Sequence, residues 1–344
     1  MGHTLAKLST FKSYALKQAS VSHGPPEIGI EPTNQCNLKC IMCARTHEMT
    51  RPIGDMTFEN FKKLIDESKH HLEFVELQDL GEPLFNKELF KMIAYCKEKG
   101  IKTGMSTNST ILTESSARNL MEAGLNQITF AFDGATKQTY EKVRVGGNYD
   151  LVIANIKRFL QIKKEMKSKI YCIMQCIAMN ETEDEIRTFK AMWNNVPGVN
   201  AVRIRQVTYT GTGKFDNKKD SPCYWLWRDP HVKWDGTFVP CCQDTNNSLA
   251  LGNIKEKTIE EMWNSPKMQE IRQLHIDGRA SEIPLCKNCN MYQPAMPFAL
   301  ADALVPAETR NKIVPTVETI ASFMRFGKRK EAKPSNGEIK LNVV

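Results

Sequence analysis

The sequence lacks any apolar run long enough to span a membrane, and its amino-terminal end has no apolar core of the signal-peptide type. It also lacks a block in which basic and aromatic residues alternate, the pattern that single-stranded nucleic acid requires. The excess of 47 Lys and Arg over 39 Asp and Glu is small and spread along the chain. We therefore expect no integral membrane segment, no nucleic-acid partner and a cytoplasmic location.

Cysteine, by contrast, is abundant, with eleven residues in a chain of 344. A chain without an export signal is expected to keep its thiols reduced, which argues against a disulfide framework. Several of the cysteines stand in CxxxCxxC or CxxC spacing, which is typical of metal ligands. The cysteine content therefore predicts an enzyme that carries metal clusters.

Three of these cysteines, Cys36, Cys40 and Cys43, lie close together and have no fourth partner nearby. A four-iron cluster bound by three thiolates keeps one iron open to a reacting molecule, whereas a structural metal site is closed. Zinc stays open as an alternative, because His47 follows four residues later and would complete a Cys3His set. The triplet thus predicts a reactive metal centre, with a zinc knuckle as the competing interpretation.

Apolar runs of strand length alternate with helical patterns between residues 25 and 210. The predicted strands are 27–31, 73–79, 101–107, 127–133, 170–178 and 201–207. The predicted helices are 57–70, 86–99, 113–123, 149–166 and 181–195. Such alternation predicts parallel strands joined by right-handed crossovers. Six units are too few for a closed eight-stranded barrel, so we expect an α/β fold with a partial (β/α)6 TIM-like barrel.

Polar residues follow the carboxyl ends of several predicted strands, the end at which parallel barrels bind their ligands. We expect them to form one site together. They are Cys36, Gly81-Glu82, Thr107-Asn108 and Asp133-Gly134.

The alternating pattern begins near residue 25 and breaks near residue 212, which predicts four parts of the chain. They are a basic helical extension over 1–24, the partial barrel over 25–212, a small cysteine-rich domain over 213–300, and a carboxyl-terminal extension over 301–344 that is partly disordered. The helix of the first part carries apolar residues at helical spacing. We expect it to cap the next domain, and a membrane-surface helix is the alternative.

The strand, cysteine loop and helix in that order, with Met42 just before Cys43, resemble the radical S-adenosylmethionine (SAM) enzymes. The resemblance implies that Cys36, Cys40 and Cys43 bind a [4Fe-4S] cluster whose open iron binds SAM. Asp79-Leu80-Gly81-Glu82-Pro83 resembles the element Gly-Gly-Glu-Pro, which receives the SAM amino group in that family, although Asp79 departs from glycine. The further cofactor-binding residues that the resemblance implies are Thr107, Asn108, Asp133 and Arg144. Ala131 stands where many relatives have a serine, and for Arg144 a solvated position on a loop is the alternative.

A second set of cysteines resembles the auxiliary-cluster region of SPASM and twitch enzymes in the same superfamily. Its members are Cys223, Cys241, Cys286 and Cys289. No cysteine follows Cys289, so the resemblance implies one auxiliary [4Fe-4S] cluster with four thiolate ligands. Cys242 is the alternative to Cys241, and zinc is the alternative metal.

Cys172 and Cys176 lie four residues apart in one predicted strand, so both side chains point to the same face. If that face lines the barrel interior, either thiol can donate a hydrogen atom to a substrate radical; otherwise both are core residues. We expect substrate specificity to come from the fifth and sixth strands and the linker after them. The candidates are Gln175, Arg203, Arg205, Gln206 and Tyr209.

The resemblance implies reductive cleavage of SAM to a 5′-deoxyadenosyl radical, which abstracts a substrate hydrogen atom. An electron then passes from the substrate to the auxiliary cluster. We expect oxidation of a small polar molecule, such as a sugar or aminocyclitol alcohol, and a reducing electron donor such as flavodoxin or ferredoxin. The alternatives are a peptide-modifying enzyme, which forms a crosslink, an epimer or an oxidised side chain, and a non-enzymatic metal-stabilised binding module.

Overall fold

The computed structural model describes residues 2–206, 221–287, 289, 299–300 and 303–304. Tyr209, most of the predicted carboxyl-terminal extension and much of the predicted linker lie outside these residues. Within them, no helix is both long enough and apolar enough to cross a membrane.

Six strands alternate with helices in the first two hundred residues. The strands are β1 Glu27–Ile30, β2 Phe74–Leu77, β3 Lys102–Thr107, β4 Gln127–Ala131, β5 Tyr171–Ala178 and β6 Ala201–Gln206. The helices before and between them are α1 Gly2–Ala15, α2 Ala44–His47, α3 Phe58–Ser68, α4 Leu89–Glu98, α5 Glu114–Ala123, α6 Lys137–Val143, α7 Tyr149–Glu165 and α8 Ile186–Trp193. All six predicted strands and all five predicted helices are therefore present, whereas α2 and α6 were not predicted.

The part of the chain from 221 to 289, here called the cysteine-rich part, contributes short elements. The strands are β7 His231–Val232, β8 Thr237–Val239 and β9 Gly252–Asn253. The helices are α9 Ile259–Trp263, α10 Pro266–Ile276 and α11 Pro284–Lys287. Helices α9 and α10 are separate, because Ser265 caps a new helix whose first residue is Pro266.

All nine strands belong to one sheet, in the order β6-β5-β4-β3-β2-β1-β7-β8-β9. Strands β1 to β6 are parallel, β7 pairs in parallel with β1, and β8 and β9 continue antiparallel. Among the described residues β6 and β9 form the two edges, so the sheet does not close. The predicted partial barrel is confirmed, and the cysteine-rich part extends the same sheet instead of forming a separate one.

The helices begin where short polar side chains cap them. The side chains of Thr57, Thr113, Thr136 and Asn148 each accept a hydrogen bond from the backbone N–H three residues later. These caps satisfy donors that have no partner within the first helical turn. The starts of α3, α5, α6 and α7 are thus fixed by local sequence.

One face of the sheet packs against the helices. On β5, Cys172, Met174 and Cys176 are fully buried in the hydrophobic core. Lys163 of α7 places its Nζ 3.5 Å from the Sγ of Cys172. Cys172 and Cys176 do share a face, as predicted, but it is the face toward the helices.

The opposite face, here called the inner face, carries polar side chains that are only partly buried. Gln175 pairs in register with Arg203, and Ile177 pairs with Arg205, so these four side chains point the same way. The neighbouring Ile204 is buried on the helix side. The inner face of β5 and β6 therefore presents an amide and two guanidinium groups to the barrel interior.

Helix α1 packs against the segment around Cys223. The ring of Tyr14 meets Tyr224 and Trp227 edge-on, with centroids 5.0 and 5.5 Å away. Its hydroxyl donates to the carbonyl of Pro222 over 3.1 Å. Helix α1 thus contacts the cysteine-rich part, and its role as a cap on the partial barrel stays a prediction.

A buried ion pair fastens the cysteine-rich part to the barrel. The guanidinium of Arg51 donates to both carboxylate oxygens of Glu31 over 2.8 and 2.9 Å, and the Glu31 side chain is fully buried. The backbone N–H of Trp234 donates to the same carboxylate over 3.1 Å, and Arg51 Nε donates to the carbonyl of Thr245 over 2.6 Å. One charge pair therefore joins the end of β1 to two loops of the cysteine-rich part.

We predict that Arg51→Met lowers the free energy of unfolding by about 3–5 kcal/mol, because it leaves the buried Glu31 carboxylate without its cation. Urea unfolding of the anaerobically purified protein measures the change. The double variant Glu31→Gln/Arg51→Met removes both charges, so it should be more stable than the single variant. Equal stability of wild type and Arg51→Met would contradict this.

Candidate functional site

The three clustered cysteines lie on the loop between β1 and α2, residues 31–43, here called the cysteine loop. Two backbone hydrogen bonds tie this loop to the end of α6, from Lys39 to Val145 and from Ile41 to Val143, over 2.9 and 3.1 Å. Helix α2 begins directly after the third cysteine. The loop is therefore held on both sides by regular structure.

The thiols of the cysteine loop share one polar environment. Burial raises the pKa of Cys36 and raises that of Cys40 to about 11, and the nearby Cys43 thiol raises the pKa of both further. The backbone N–H of Leu38 and the amide of Asn108 donate to the sulfur of Cys36 over 3.5 and 3.6 Å. Arg144 donates to the sulfur of Cys40 over 3.8 Å and lowers its pKa. These donors compensate the negative charge that bound thiolates carry.

The donor set fits an iron–sulfur cluster. No disulfide joins any of the eleven cysteines. Thiolates are the usual ligands of such clusters, and the cysteine loop supplies three of them. His47 is exposed on α2, so the structure gives the Cys3His zinc alternative no support.

Glu82 lies beside the cysteine loop and is almost fully buried. Its backbone N–H donates to the carbonyl of Gln35 over 2.7 Å. Its carboxylate accepts from the hydroxyl of Thr107 over 2.9 Å and from the N–H of Asn108 over 2.6 Å. Burial raises the pKa of Glu82 to about 7, although these hydrogen bonds lower it. The structure thus brings together the ends of β2 and β3 and the cysteine loop.

Gly81 is required by close packing of two backbones. A Cβ at this position would lie 2.1 Å from the carbonyl oxygen of Thr33 and 2.8 Å from that of Gln35. The sequence resemblance places this glycine in the element that receives the SAM amino group. The structure adds a second reason, because any side chain here would push the cysteine loop away.

Asp133 and Arg144 form a buried ion pair on the other side of the cysteine loop. Arg144 donates from Nε over 2.7 Å and from Nη2 over 2.5 Å to one carboxylate oxygen of Asp133. The other oxygen accepts from the N–H of Ile177 over 2.6 Å. Arg144 is therefore not a solvated loop residue, and it connects the ends of β4 and β5 to Cys40.

The second set of cysteines lies in the cysteine-rich part as two pairs. Cys241 is near enough to Cys223 for the two thiols to interact, and the N–H of Gln243 donates to its sulfur over 3.4 Å. Cys289 donates its N–H to the carbonyl of Cys286 over 3.3 Å. The structure thus brings together the members within each pair.

Cys242 faces a different environment from Cys241. The Cys241 thiol donates a hydrogen bond to Cys242, which lowers the pKa of Cys242 to about 6 and raises that of Cys241; nearby His231 lowers the pKa of Cys242 further. Cys242 is also close to Asp79. Cys241 interacts with Cys223, and Cys242 with His231 and Asp79.

Asp79, the departure from glycine, pairs with residues of β7 and the position after it. Lys233 lies 2.5 Å and His231 3.7 Å from its carboxylate. Burial alone would raise the pKa of Asp79, but Lys233 and His231 lower it to about 2. The same contact raises the pKa of His231 to about 9 against the effect of burial. The sequence patterns did not predict either partner, because no pattern links residues about 150 positions apart.

The position of Cys172 and Cys176 favours packing over hydrogen-atom donation. Both thiols are buried between β5 and the helices, and burial raises the pKa of Cys172 to about 11. The inner face of the same strand carries Gln175 instead.

Known proteins resemble this chain in both parts. Residues 30–191 match the family model of the radical SAM superfamily, and residues 223–290 match that of SPASM, an iron–sulfur cluster-binding domain. These matches indicate 4Fe–4S clusters and SAM as the cofactors.

Three known proteins illustrate the similarity. A cofactor-modifying protein of the tungsten-containing aldehyde ferredoxin oxidoreductase from Pyrococcus furiosus is 22% identical over 76% of this chain and 86% of its own length. The SAM-dependent 2-deoxy-scyllo-inosamine dehydrogenase of Niallia circulans is 23% identical over 76% of this chain and 92% of its own length. SuiB of Streptococcus suis, solved bound to the precursor peptide SuiA, has the same fold, with a TM-score of 0.58, 15% identity, and coverage of 75% of this chain and 69% of that structure.

We predict that Gly81→Ala lowers the iron content of the reconstituted protein from about eight to about four atoms per chain, because the new Cβ displaces the cysteine loop and one four-iron cluster is lost. Iron analysis and the visible absorption spectrum measure this. Gly100→Ala is the control: its Cβ meets nothing within 4 Å, and the strain of its left-handed backbone (φ +74°) is confined to the turn between α4 and β3, so it should keep all its iron. Full iron in Gly81→Ala would show that the cysteine loop tolerates the displacement.

Proposed function

We propose a reaction for this chain, which is an enzyme of the radical SAM superfamily with a SPASM domain: the oxidation of an alcohol group in a small polar molecule such as a sugar or an aminocyclitol. The observation that carries the proposal is the unequal pair of cysteine sets. A set of three lies beside the buried carboxylate of Glu82, and a set of four lies in the cysteine-rich part. Membership in an enzyme superfamily sets aside the non-enzymatic alternative.

Cys36, Cys40 and Cys43 would bind the first cluster. With SAM, that cluster supplies a 5′-deoxyadenosyl radical, which removes a hydrogen atom from a substrate carbon. Glu82, fixed by Thr107 and Asn108, offers a buried carboxylate to the SAM amino group.

The Asp133–Arg144 pair would hold the opposite wall of the first site. Arg144 donates to Cys40 while it is paired with Asp133, so it stabilises negative charge on this sulfur. The same two contacts hold the cysteine loop against the end of β4. Because both residues are buried, the pair also excludes water from that side of the reacting groups.

Cys223, Cys241, Cys286 and Cys289 would bind the auxiliary cluster. Four thiolates leave no iron open, so this cluster is suited to accepting an electron and not to binding a substrate. An electron acceptor makes the overall reaction a two-electron oxidation, in which the alcohol carbon loses a hydrogen atom and an electron, and its oxygen loses a proton.

The polar side chains of the inner face are evidence for a small polar substrate. Gln175, Arg203 and Arg205 present hydrogen-bonding groups to the barrel interior. The similarity to a dehydrogenase that acts on an aminocyclitol supports the same class. A peptide is the second candidate, because SuiB, which has the same fold, was solved with a precursor peptide.

The environment of the reaction follows from its chemistry. The reaction begins with a one-electron reduction, so we propose a reducing donor such as flavodoxin or ferredoxin. The eleven cysteines, none of which forms a disulfide, support a reducing compartment such as the cytoplasm.

We predict that replacing Cys36, Cys40 and Cys43 by alanine abolishes 5′-deoxyadenosine formation and lowers the iron content from about eight to about four atoms per chain. Anaerobic reconstitution, iron analysis and chromatographic detection of 5′-deoxyadenosine measure both effects. Cys96→Ala removes a buried helical cysteine away from both sets and serves as the control. Full iron in the triple variant would refute the assignment of the first site, and wild-type protein that is fully loaded but cleaves no SAM would refute the reaction.

We also predict that Cys241→Ala and Cys242→Ala differ. Because Cys241 lies beside Cys223, its loss should lower the iron content to about four atoms per chain while 5′-deoxyadenosine still forms. Cys242→Ala should keep about eight. The reverse result would make Cys242 the ligand.

A further inference from the structure

The carboxylate of Glu76 has no hydrogen-bond or ion-pair partner among the described residues, although it belongs to the central part of the barrel. Glu76 is on β2, between Gly29 of β1 and Gly104 of β3 in the sheet register. A Cβ at Gly104 would lie 2.6 Å from a carboxylate oxygen of Glu76. The glycine therefore leaves the space that this carboxylate occupies.

The neighbouring glycine serves a second charged group in the same row. A Cβ at Gly29 would lie 2.1 Å from the imidazole ring of His231. The row His231–Gly29–Glu76–Gly104 thus alternates two ionisable side chains with two residues that have none. Such an arrangement keeps room for polar groups inside the barrel, where bulky apolar residues usually fill the space.

Charged groups surround Glu76, but among the described residues none of them forms an ion pair with its carboxylate. Burial raises the pKa of Glu76 to about 7; Asp229 and Glu27 raise it as well, while Arg203 and His231 lower it. Glu27 is paired with Arg228 over 2.6 Å, and His231 is near Asp79. No basic group of the described chain is close enough to form an ion pair with Glu76.

A half-buried carboxylate without a partner gains most from a cationic ligand, because a charge-assisted hydrogen bond offsets the cost of desolvation more fully than a neutral one. It also lies below the first site, six residues before Glu82 in the chain. A molecule held at Glu76 by one end would extend toward the carboxyl ends of the strands. That is the end where the reacting groups of the proposed function lie.

We propose that Glu76 binds an ammonium group of the substrate, so that the substrate is a small amine such as an aminocyclitol or amino sugar. The inference rests on the proposed function, because it assumes that the substrate enters the barrel interior. It adds that the substrate carries a positive charge, which a neutral sugar lacks.

Two probes of equal size test the charge preference: trans-4-aminocyclohexanol and cyclohexane-1,4-diol. Their binding to the cluster-loaded enzyme with SAM is measured by anaerobic calorimetric titration. We expect the amino alcohol to bind about tenfold more tightly than the diol, the effect of one charge-assisted hydrogen bond. Glu76→Gln should reduce the preference to less than about twofold, at unchanged iron content. Glu122→Gln removes an exposed carboxylate on α5 and should keep the full preference.

A second variant acts without removing the charge. Gly104→Ala introduces the Cβ that displaces the Glu76 carboxylate, so it too should lower the preference. Equal binding of both probes to the wild type, no binding of either, or a full preference in Glu76→Gln would each overturn the proposal. The comparison in the wild type decides the question even if neither variant folds.

Iron content and basal 5′-deoxyadenosine formation are measured on the same samples. If both are normal in the wild type while the charge preference is absent, only the assignment of Glu76 fails. If loaded wild type forms no 5′-deoxyadenosine, the proposed function itself fails.

Discussion

The close contact between the turn after β2 and the cysteine loop is the constraint on which the rest of the site depends. Gly81 brings two backbones together at a distance that no side chain allows, and Glu82 then donates its N–H to the carbonyl of Gln35. This fixes the Glu82 carboxylate relative to Cys36, with Asn108 bonded to both. The reactive groups are therefore positioned by main-chain packing, which is stiffer than any contact between long side chains.

Two buried ion pairs connect the strand ends near this contact to the cysteine-rich part. Glu31 with Arg51 and Asp79 with Lys233 begin at the ends of β1 and β2 and finish in the loops around β7. Breaking such a pair leaves an uncompensated buried charge, so the two parts resist separation. Since β7 also pairs with β1 and β8 with β7, a sheet and two charge pairs together fix how the loop that carries Cys241 lies against the barrel.

The sequence predicted those features that depend on local patterns. The six alternating units were visible from apolar periodicity, and the strand-end positions of Glu82 and Asn108 followed from them. The pairing of Asp79 with Lys233 was not visible, because it depends on a strand of two residues that carries no periodic signal. The helix-facing side of Cys172 was also undetermined, since spacing shows that two residues share a face but does not show which face that is.

The partners of the carboxylates around the two sites distinguish structural roles from binding roles. Glu31, Asp79 and Asp133 are buried, and each has an arginine or lysine within 3 Å, so these ion pairs hold elements together. Buried Glu82 accepts hydrogen bonds from neutral donors, half-buried Glu76 has no hydrogen-bond or ion-pair partner among the described residues, and desolvation raises the pKa of both to about 7. Two carboxylates prepared in this way inside one barrel are suited to two amino groups. We assign the amino group of SAM to Glu82 and that of the substrate to Glu76, which would place both molecules in line along the barrel interior.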